Sequence, residues 1–546
     1  MLRPIDSKPH HPWETELSSA SKELKRCKAV SARCKLPVEI WKTVFVFACS
    51  QEKGYSLTIE KFGALTTLVK IPITLSHVCS RWRTIVIGSP RLWSSISITF
   101  NWTPLPAESL LDTFLTNSAD HPLDIRVIIG AEAWNESEQP SEQSEHNVAI
   151  LRSLSSHFSR CNRLFIEIDD YDSPFYGFQG LDLAFHNISS LRLNYPCAIN
   201  SLFELKGDNP FWQALLDSTS KLTEVAVDDL TWYPPDFLPY LQITTLFIER
   251  IRFDNVPGDL LRALGAFKNL RSLTLRHFAK ASYSVDRVAG AEMPPSQAAM
   301  PSFSLQTVMP SLQTLVIRNN CQTEMTYGVL CVFFSSLVVP KLSSFELQSS
   351  SPHSSHQKPW PPSLLTMLQN ASTTLRHVSL TLTSIHFPAV WEPLSLILRT
   401  TPHLTHLDLG GGQPVMYNDR EENQSFRSDT FIVSSVADLT DTSLLPRLEC
   451  LSLHHIQLNS EFMGQIVALA ESRSPSRFSA VQGIQYPLMK LRILCYEERQ
   501  KFVLEPHMLE AIRKLKAEGV NVTFERTNAY CESSPLPWPD SRFDPW

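Results

Sequence analysis

Glycine is scarce in this chain. It supplies 17 of 546 residues against 38 prolines, whereas ordinary proteins carry roughly 7% glycine and 5% proline. Glycine-rich loops that cradle phosphate are correspondingly few. Charge is thin as well: 19% of residues are charged, with Lys and Arg numbering 49 against 55 Asp and Glu, for a formal charge of −6. No global positive field draws such a chain to nucleic acid or to an anionic membrane, so neither is expected as a partner. The 11 cysteines are scattered from Cys27 to Cys531 without a C-x-x-C pair, which argues against a disulfide framework or a zinc ribbon and for buried reduced thiols. The longest apolar run, Val329 to Val339, is broken by Ser335 and Ser336 and falls short of the ~20 residues that span a bilayer. The first thirty residues mix Asp6, Lys8, Glu14, Glu16 and Lys22 with prolines and histidines, and lack the continuous apolar core of a secretory signal. The expected location is the cytoplasm, the nucleus or both.

Local signatures of catalysis are missing too. No G-x-S-x-G, H-E-x-x-H, P-loop or EF-hand pattern occurs, so the chain reads as non-enzymatic, with no catalytic residue, metal or cofactor expected. His403 and His406 stand beside Leu404 and Leu407; on a strand their odd spacing sends the two rings to opposite faces, away from a shared metal. Gly410-Gly411-Gly412 is followed by no Lys-Ser/Thr and reads as a flexible turn.

What is abundant is apolar surface. Hydrophobic residues make up 43% of the chain, enough for a large core, so the chain is globular. At roughly 100 to 200 residues per domain the length predicts three domains, unless the chain is an array of repeats. A unit of the form L-x-x-L-x-L does keep returning. It stands at Ile188-Leu191-Leu193, Leu222-Val225-Val227, Ile243-Leu246-Ile248, Leu270-Leu273-Leu275, Leu312-Leu315-Ile317, Leu342-Phe345-Leu347, Leu375-Val378-Leu380, Leu404-Leu407-Leu409, Leu448-Leu451-Leu453 and Leu488-Leu491-Ile493. A weaker copy, Cys161-Leu164-Ile166, precedes them, and neighbouring copies begin 21 to 44 residues apart. The intervals hold helix-like segments such as 210–216 and 259–264. Strand then helix, repeated, predicts an α/β solenoid of short parallel strands with outer helices.

Side chains alternate along a strand, so the x positions of each copy form a wall facing away from the core. That wall carries Ser272, Thr274 and Arg276; Thr314, Val316 and Arg318; His377, Ser379 and Thr381; His406 and Asp408; Ser452 and His454; Lys490 and Arg492. Polar and mixed in charge, it suits contact with another protein. Arg276, Arg318, His377, His406, Asp408, His454 and Arg492 are its candidate target-binding residues. Three stretches break the pattern and read as loops or disordered insertions: 131–147, 279–304 and 348–362. Residues 506–524 read as a last helix and strand closing the stack, and the Pro-rich tail 527–546 as loosely held.

Ahead of the repeats lies a polar segment, 1–34, partly helical or disordered. A helix starts at Leu36-Pro37, where proline suits the first turn, and carries Ile40, Trp41, Val44, Phe45 and Ala48 with the spacing of one face. A second amphipathic helix carries Leu75, Val78, Cys79, Trp82, Ile85 and Val86. It stops at Gly88-Ser89-Pro90, and Trp93, Ile96, Ile98 and Phe100 alternate as in a strand.

These segments, Leu36-Pro37-Val38-Glu39-Ile40, Val44-Phe45, Leu75-Ser76-His77-Val78-Cys79-Ser80-Arg81-Trp82-Arg83 and Ser89-Pro90-Arg91-Leu92-Trp93, resemble the F-box domain. The continuation resembles the F-box plus leucine-rich-repeat proteins abundant in mushroom-type fungi. The resemblance implies an F-box-like module at 35–98 and a divergent leucine-rich-repeat solenoid at 99–526. It also implies a non-catalytic substrate receptor of an SCF-type cullin-RING ubiquitin ligase. The helices would dock on a Skp-type adaptor and, through it, on cullin and RING subunits, while the repeats hold a target protein. Leu36, Pro37, Ile40, Val44, Leu75, Val78, Cys79, Trp82 and Leu92 match the positions from which the family builds its adaptor contact or its small core. The segment Ser50 to Thr74 is longer than the family's compact motif. The asparagine that such repeats favour is present at Asn320, whereas Phe278, Thr383, Gly412 and Ile456 replace it elsewhere. An alternative reading keeps the solenoid as an interaction scaffold without a ligase, the helices serving as an end cap.

Overall fold

A computed structural model of the chain describes residues 36–51, 55–62, 65–100, 107–129, 142–168, 181, 183–194, 214, 220–227, 240–249, 251–253, 258–276, 278–280, 306–319, 327–349, 362–382, 394–396, 398–411, 436–456, 460–474, 487–496 and 506–527. They belong to two compact units, Met1–Cys161 and Asn162–Trp546.

The first unit begins with helix α1 (Val38–Gln51). The next segment is a β-hairpin, β1 (Leu57–Phe62) and β2 (Leu65–Lys70), paired antiparallel. The second expected helix is two helices. α2 (Ile71–Ser76) ends at a turn, and α3 (Ser80–Ile87) starts after Cys79, whose backbone is extended (φ −161°, ψ 167°) and whose Sγ accepts a hydrogen bond from Trp82 N. An extended residue cannot continue a helix, and its side chain caps the next one. Pro90–Trp93 form a 3-10 turn, so the expected strand starts after Trp93, at β3 (Ser95–Thr99). Strand β1 pairs parallel with β3 through Leu57↔Ile96 and Ile59↔Ile98. These four side chains are buried, as alternation demands. Helix α4 (Ala107–Asn117), strand β4 (Leu123–Ile129) and helix α5 (Glu142–Ser155) complete the unit, with the strands in the order β2-β1-β3-β4. Because the hairpin shares a sheet with β3 and β4, this unit runs past the expected boundary at 98.

Helix α5 corrects the insertion expected over 131–147, since its end, Glu142 to Asn147, is helical. A polar composition hid the helix. Asn147 is buried and donates from Nδ2 to Phe100 O at 2.9 Å, tying α5 to the end of β3.

The second unit is a parallel sheet to which the chain adds one strand at a time. Strands β5 (Cys161–Ile168), β6 (Ser190–Asn194), β7 (Glu224–Val227) and β8 (Thr245–Ile248) come first. Two short parallel pairs stand apart from the main sheet: β9 (Ile251–Phe253) with β11 (Phe278–Lys280), and β12 (Thr307–Val308) with β14 (Leu337–Val338). The main sheet continues with β10 (Ser272–Arg276), β13 (Thr314–Asn319), β15 (Ser344–Ser349), β16 (His377–Leu382), β17 (His406–Gly411), β18 (Cys450–Ile456), β19 (Lys490–Tyr496) and β20 (Asn521–Thr527). Its strand order follows the chain.

The eleven apolar triplets read from the sequence coincide with β5, β6, β7, β8, β10, β13, β15, β16, β17, β18 and β19, and every triplet residue is buried. They stack in register, Leu273↔Leu315↔Phe345↔Val378↔Leu407↔Leu451↔Leu491. A repeated backbone device sets that register. The carbonyl just ahead of one strand accepts two successive amides of the next: Arg271 O from Gln313 and Thr314, Gln313 O from Ser343 and Ser344, Ser343 O from Arg376 and His377, and Arg376 O from Thr405 and His406, all at 2.8 to 3.0 Å.

Intervening helices include α6 (Gly258–Ala266), α7 (Tyr327–Ser336), α8 (Pro362–Asn370) and α9 (Ser460–Ser472). The stack ends, as the sequence implied, with α10 (Pro506–Ala517) and then β20. Gly519 sits at φ +95°, the left-handed region that closes a helix without a Cβ clash, and Val520 N bonds Leu515 O there. The insertions expected at 279–304 and 348–362 are narrower. Ala279 and Lys280 lie in β11, Gln348 and Ser349 in β15, and Pro362 opens α8, while 281–305 and 350–361 lie outside the described residues. So do the expected segment 1–34, all of the expected tail 527–546 except Thr527, which ends β20, and all of 210–216 except Ala214.

Gly410 and Gly411 belong to β17 instead of a turn. A Cβ at Gly410 would stand 3.0 Å from His454 Cβ and 3.1 Å from Thr381 Oγ1, so the neighbouring strands would have to give by a few tenths of an ångström to admit a side chain.

Candidate functional site

Helix α1 is apolar on two sides. At about 100° per residue, Trp41, Phe45 and Cys49 share one stripe; Leu36, just before the helix, Ile40, Val44 and Phe47 form another, roughly 140° away. The first stripe is buried. The Trp41, Phe45 and Trp82 rings pack with centroids 4.8 to 5.7 Å apart, locking α1 to α3. Burial pushes the Cys49 thiol up to about 12, so it stays protonated at neutral pH. The second stripe is open to solvent: Leu36 is 40% exposed, Ile40 47%, Val44 45% and Phe47 64%. Arg81 Nη2 donates to Leu36 O at 2.9 Å, fixing the start of α1 beside the start of α3. Val78, three residues before Arg81, is also 47% exposed.

Of the residues expected to meet an adaptor, Leu36, Pro37, Ile40, Val44, Val78 and Cys79 are exposed, and Leu75 and Trp82 are half-buried. The exposed Cys79 departs from the expectation of buried thiols, which Cys49 and Cys161 meet. Leu92 is 1% exposed, held inside by a turn in which its N–H bonds Ser89 O and the Trp93 indole bonds Val86 O, so of the two roles expected for these positions, adaptor contact or small core, it takes the core one. The sequence reading missed Val38, Phe47 and Ile87, which are exposed on the same helices. Burying one such side chain fully is worth roughly 1.5 to 3 kcal/mol. Covering the half-exposed stripe therefore offers a partner several kcal/mol before association costs.

The x positions of the strands form a polar face, and register places the second set of expected residues on it. Arg276 and Arg318 are cross-strand neighbours. Arg276 lies over the Phe247 ring at 4.8 Å and 3.7 Å from Glu249; Arg318 Nε donates to Glu346 at 2.8 Å. Burial lowers the Arg276 pKa, offset by Glu249 and reinforced by the like charge of Arg318. The glutamates were missed, since only register reveals these pairs.

Further along, His377, His406 and Asp408 meet. His377 Nδ1 lies 3.2 Å from Ser344 Oγ, its Nε2 2.8 Å from Asp408 Oδ2, and its ring meets that of His406 edge-on at 6.0 Å. Burial works to raise the Asp408 pKa, but hydrogen bonds from His377 and Ser452, with the nearby His377 and His454 charges, hold it below the ordinary value. His454 and Arg492 stand on the next two strands. His403 lies in the turn before β17, not on a strand, with its ring nitrogen 2.9 Å from Arg447 Nη1.

Ser344, His377 and Asp408 have the order of a nucleophile–base–acid relay, but oxyanion stabilisation needs free donors beside the nucleophile. The Ser343 and Ser344 amides are both bonded to Gln313 O. The cluster is a polar cross-strand ladder. Among the described residues no group of three His, Cys, Asp or Glu side chains could hold a metal, and no helix is long and apolar enough to cross a membrane. No family model matches the chain, and no curated protein matches it.

Proposed function

We propose that the chain is the substrate-receptor subunit of an SCF-type cullin-RING ubiquitin ligase. In this reading residues 35–98 are an F-box-like module that docks on a Skp-type adaptor, the parallel array is a divergent leucine-rich-repeat solenoid, and its polar face holds a target protein. The receptor does no chemistry of its own. It holds the target beside a charged ubiquitin-conjugating enzyme and raises the effective concentration of the reacting groups. It acts in the cytoplasm, the nucleus or both.

The observation that carries the reading is the uncovered stripe of α1. Leu36, Ile40 and Val44 stay open to solvent although the opposite stripe of the same helix is packed. A mere end cap has no use for a second apolar face, whereas helix-in-groove docking requires one.

Pull-down of the full chain with purified Skp-type adaptor tests this. Binding is expected for the parent and is lost with Leu36→Asp plus Val78→Asp, both at exposed positions, while circular dichroism and the melting temperature stay unchanged. A parent chain that captures no adaptor would leave the scaffold reading in place and sink the ligase one.

A further inference from the structure

Phe47 lies on α1 beyond Val44, outside the positions that the F-box resemblance supplies. Seven residues after Ile40, it returns to within about 20° of Ile40 around the helix axis and lies roughly 10 Å further along. It therefore continues the stripe of Leu36, Ile40 and Val44 instead of starting another. It is the aromatic member of that stripe, and at 64% it is more exposed than the other three, so its own chain covers about a third of it. The core side of α1 is already filled by Trp41 and Phe45 packed on Trp82. Phe45, 1% exposed, and Phe47 stand about 160° apart around the axis and so serve different surfaces. Beside the stripe the Thr43 hydroxyl donates to Glu39 O at 3.0 Å within the helix, so covering that flank strands no donor.

We propose that Phe47 anchors α1 on the adaptor, its ring entering an apolar pocket of that partner at the end of the groove remote from Leu36. The inference rests on the receptor reading for the identity of the partner. It deepens that reading by naming the residue on which the contact hinges and the chemistry of the surface that receives it. Positions 36, 40, 44 and 47 have the spacing by which a helix lays one face into a groove. A phenyl ring brings more apolar area to such a contact than Leu36, Ile40 or Val44 and fixes only two torsions in doing so. Rings of this kind, placed in dry pockets, carry a disproportionate share of the binding energy of an interface. The ring has no polar group, so the pocket that takes it needs no donor or acceptor.

Isothermal titration calorimetry of the full chain with purified Skp-type adaptor tests this. Phe47→Ala is expected to weaken binding about tenfold or more, and Phe47→Leu by less than about fivefold. Phe47→Tyr is expected to weaken it about tenfold, because a dry pocket strips water from the added hydroxyl and gives it no partner. Leu241→Ala, which truncates a 69% exposed leucine of the second unit, is expected to leave the affinity within about twofold. Each variant should melt within about 2 °C of the parent, as fits changes at exposed positions. If Phe47→Ala fails to fold, the comparison of Phe47→Leu with Phe47→Tyr decides, since both keep the bulk of the side chain. Binding of Phe47→Ala as tight as the parent's, or of Phe47→Tyr as tight as the parent's, would overturn the proposal. A parent that binds the adaptor beside an unaffected Phe47→Ala removes the anchor alone, whereas a parent that does not bind removes the receptor reading and the anchor together.

Discussion

Asp408 shows how a single side chain on the strand face is tuned. Its carboxyl is lowered by the His377 and Ser452 hydrogen bonds against the opposing effect of burial. In the unfolded chain it returns to an ordinary aspartate value, about 3.9. A lowered folded value means that this contribution to stability is fully present above that ordinary value and is lost as pH falls through the folded one. The expected consequence is a difference in urea midpoint between parent and Asp408→Asn, worth about 1 kcal/mol for a partly exposed charged hydrogen bond, that holds near pH 5 and narrows toward pH 3. A difference that stays constant down to pH 3 would show that the charge contributes nothing. The residue was legible in the sequence as a wall position, because alternation in β17 places it there. Its partners were not, because His377 and Ser452 reach it from the two neighbouring strands, with Ser344 against the far nitrogen of His377, and only register decides which meet.

Individual elements are closed by arginines that the sequence pattern does not reveal. Arg160, after α5, reaches back to the end of α4, donating to Ala119 O, to His121 O and Leu115 O at 3.1 and 3.0 Å, and to Ser118 Oγ. Arg473, after α9, does the same for the preceding loop, donating to Leu439 O, Leu445 O and Asp441 O at 2.7 to 3.0 Å. Arg473 is 1% exposed. Burial, offset in part by Asp441, lowers its pKa to about 10, which leaves it charged at neutral pH. Two buried carbonyls, Leu439 O and Leu445 O, and the partly buried Asp441 O thus depend on one guanidinium. Arg473→Leu is expected to destabilise the chain by about 3 kcal/mol or more, since unpaired buried acceptors keep their desolvation cost. Arg473→Lys recovers only part, because one ammonium cannot match a planar fork. Equilibrium unfolding of the two variants checks this, and a loss below about 1 kcal/mol for Arg473→Leu would mean that water replaces the arginine. Helix α1 teaches a related lesson. Ile40, Trp41, Val44 and Phe45 have the spacing of one wide face, yet only Trp41 and Phe45 are covered, and the pattern alone cannot say how far cover extends. The hairpin over 57–70 escaped the sequence reading because the segment interrupts two helical patterns, and the break at Cys79 because apolar spacing continues through it.

At the scale of the whole molecule the repeats were legible because each copy carries its own complete signal. Three apolar residues at a fixed spacing suffice to define one buried strand, and repetition defines a parallel array without knowledge of any long-range contact. The same property governs how the second unit responds to damage. Each interior strand of its main sheet is hydrogen-bonded only to the strand before and the strand after, so stability is close to a sum of local terms and nearest-neighbour terms. Leu315 is fully buried in β13, and Leu315→Ala is expected to cost about 2 to 5 kcal/mol through lost burial and the cavity left behind. That cost should stay near its origin. Amide hydrogen exchange of the variant is expected to show faster exchange in β10, β13 and β15, the strands paired through Leu273, Leu315 and Phe345, while β18, β19 and β20 keep the parent's protection. Uniform acceleration across all these strands would show instead that the array unfolds as one cooperative block.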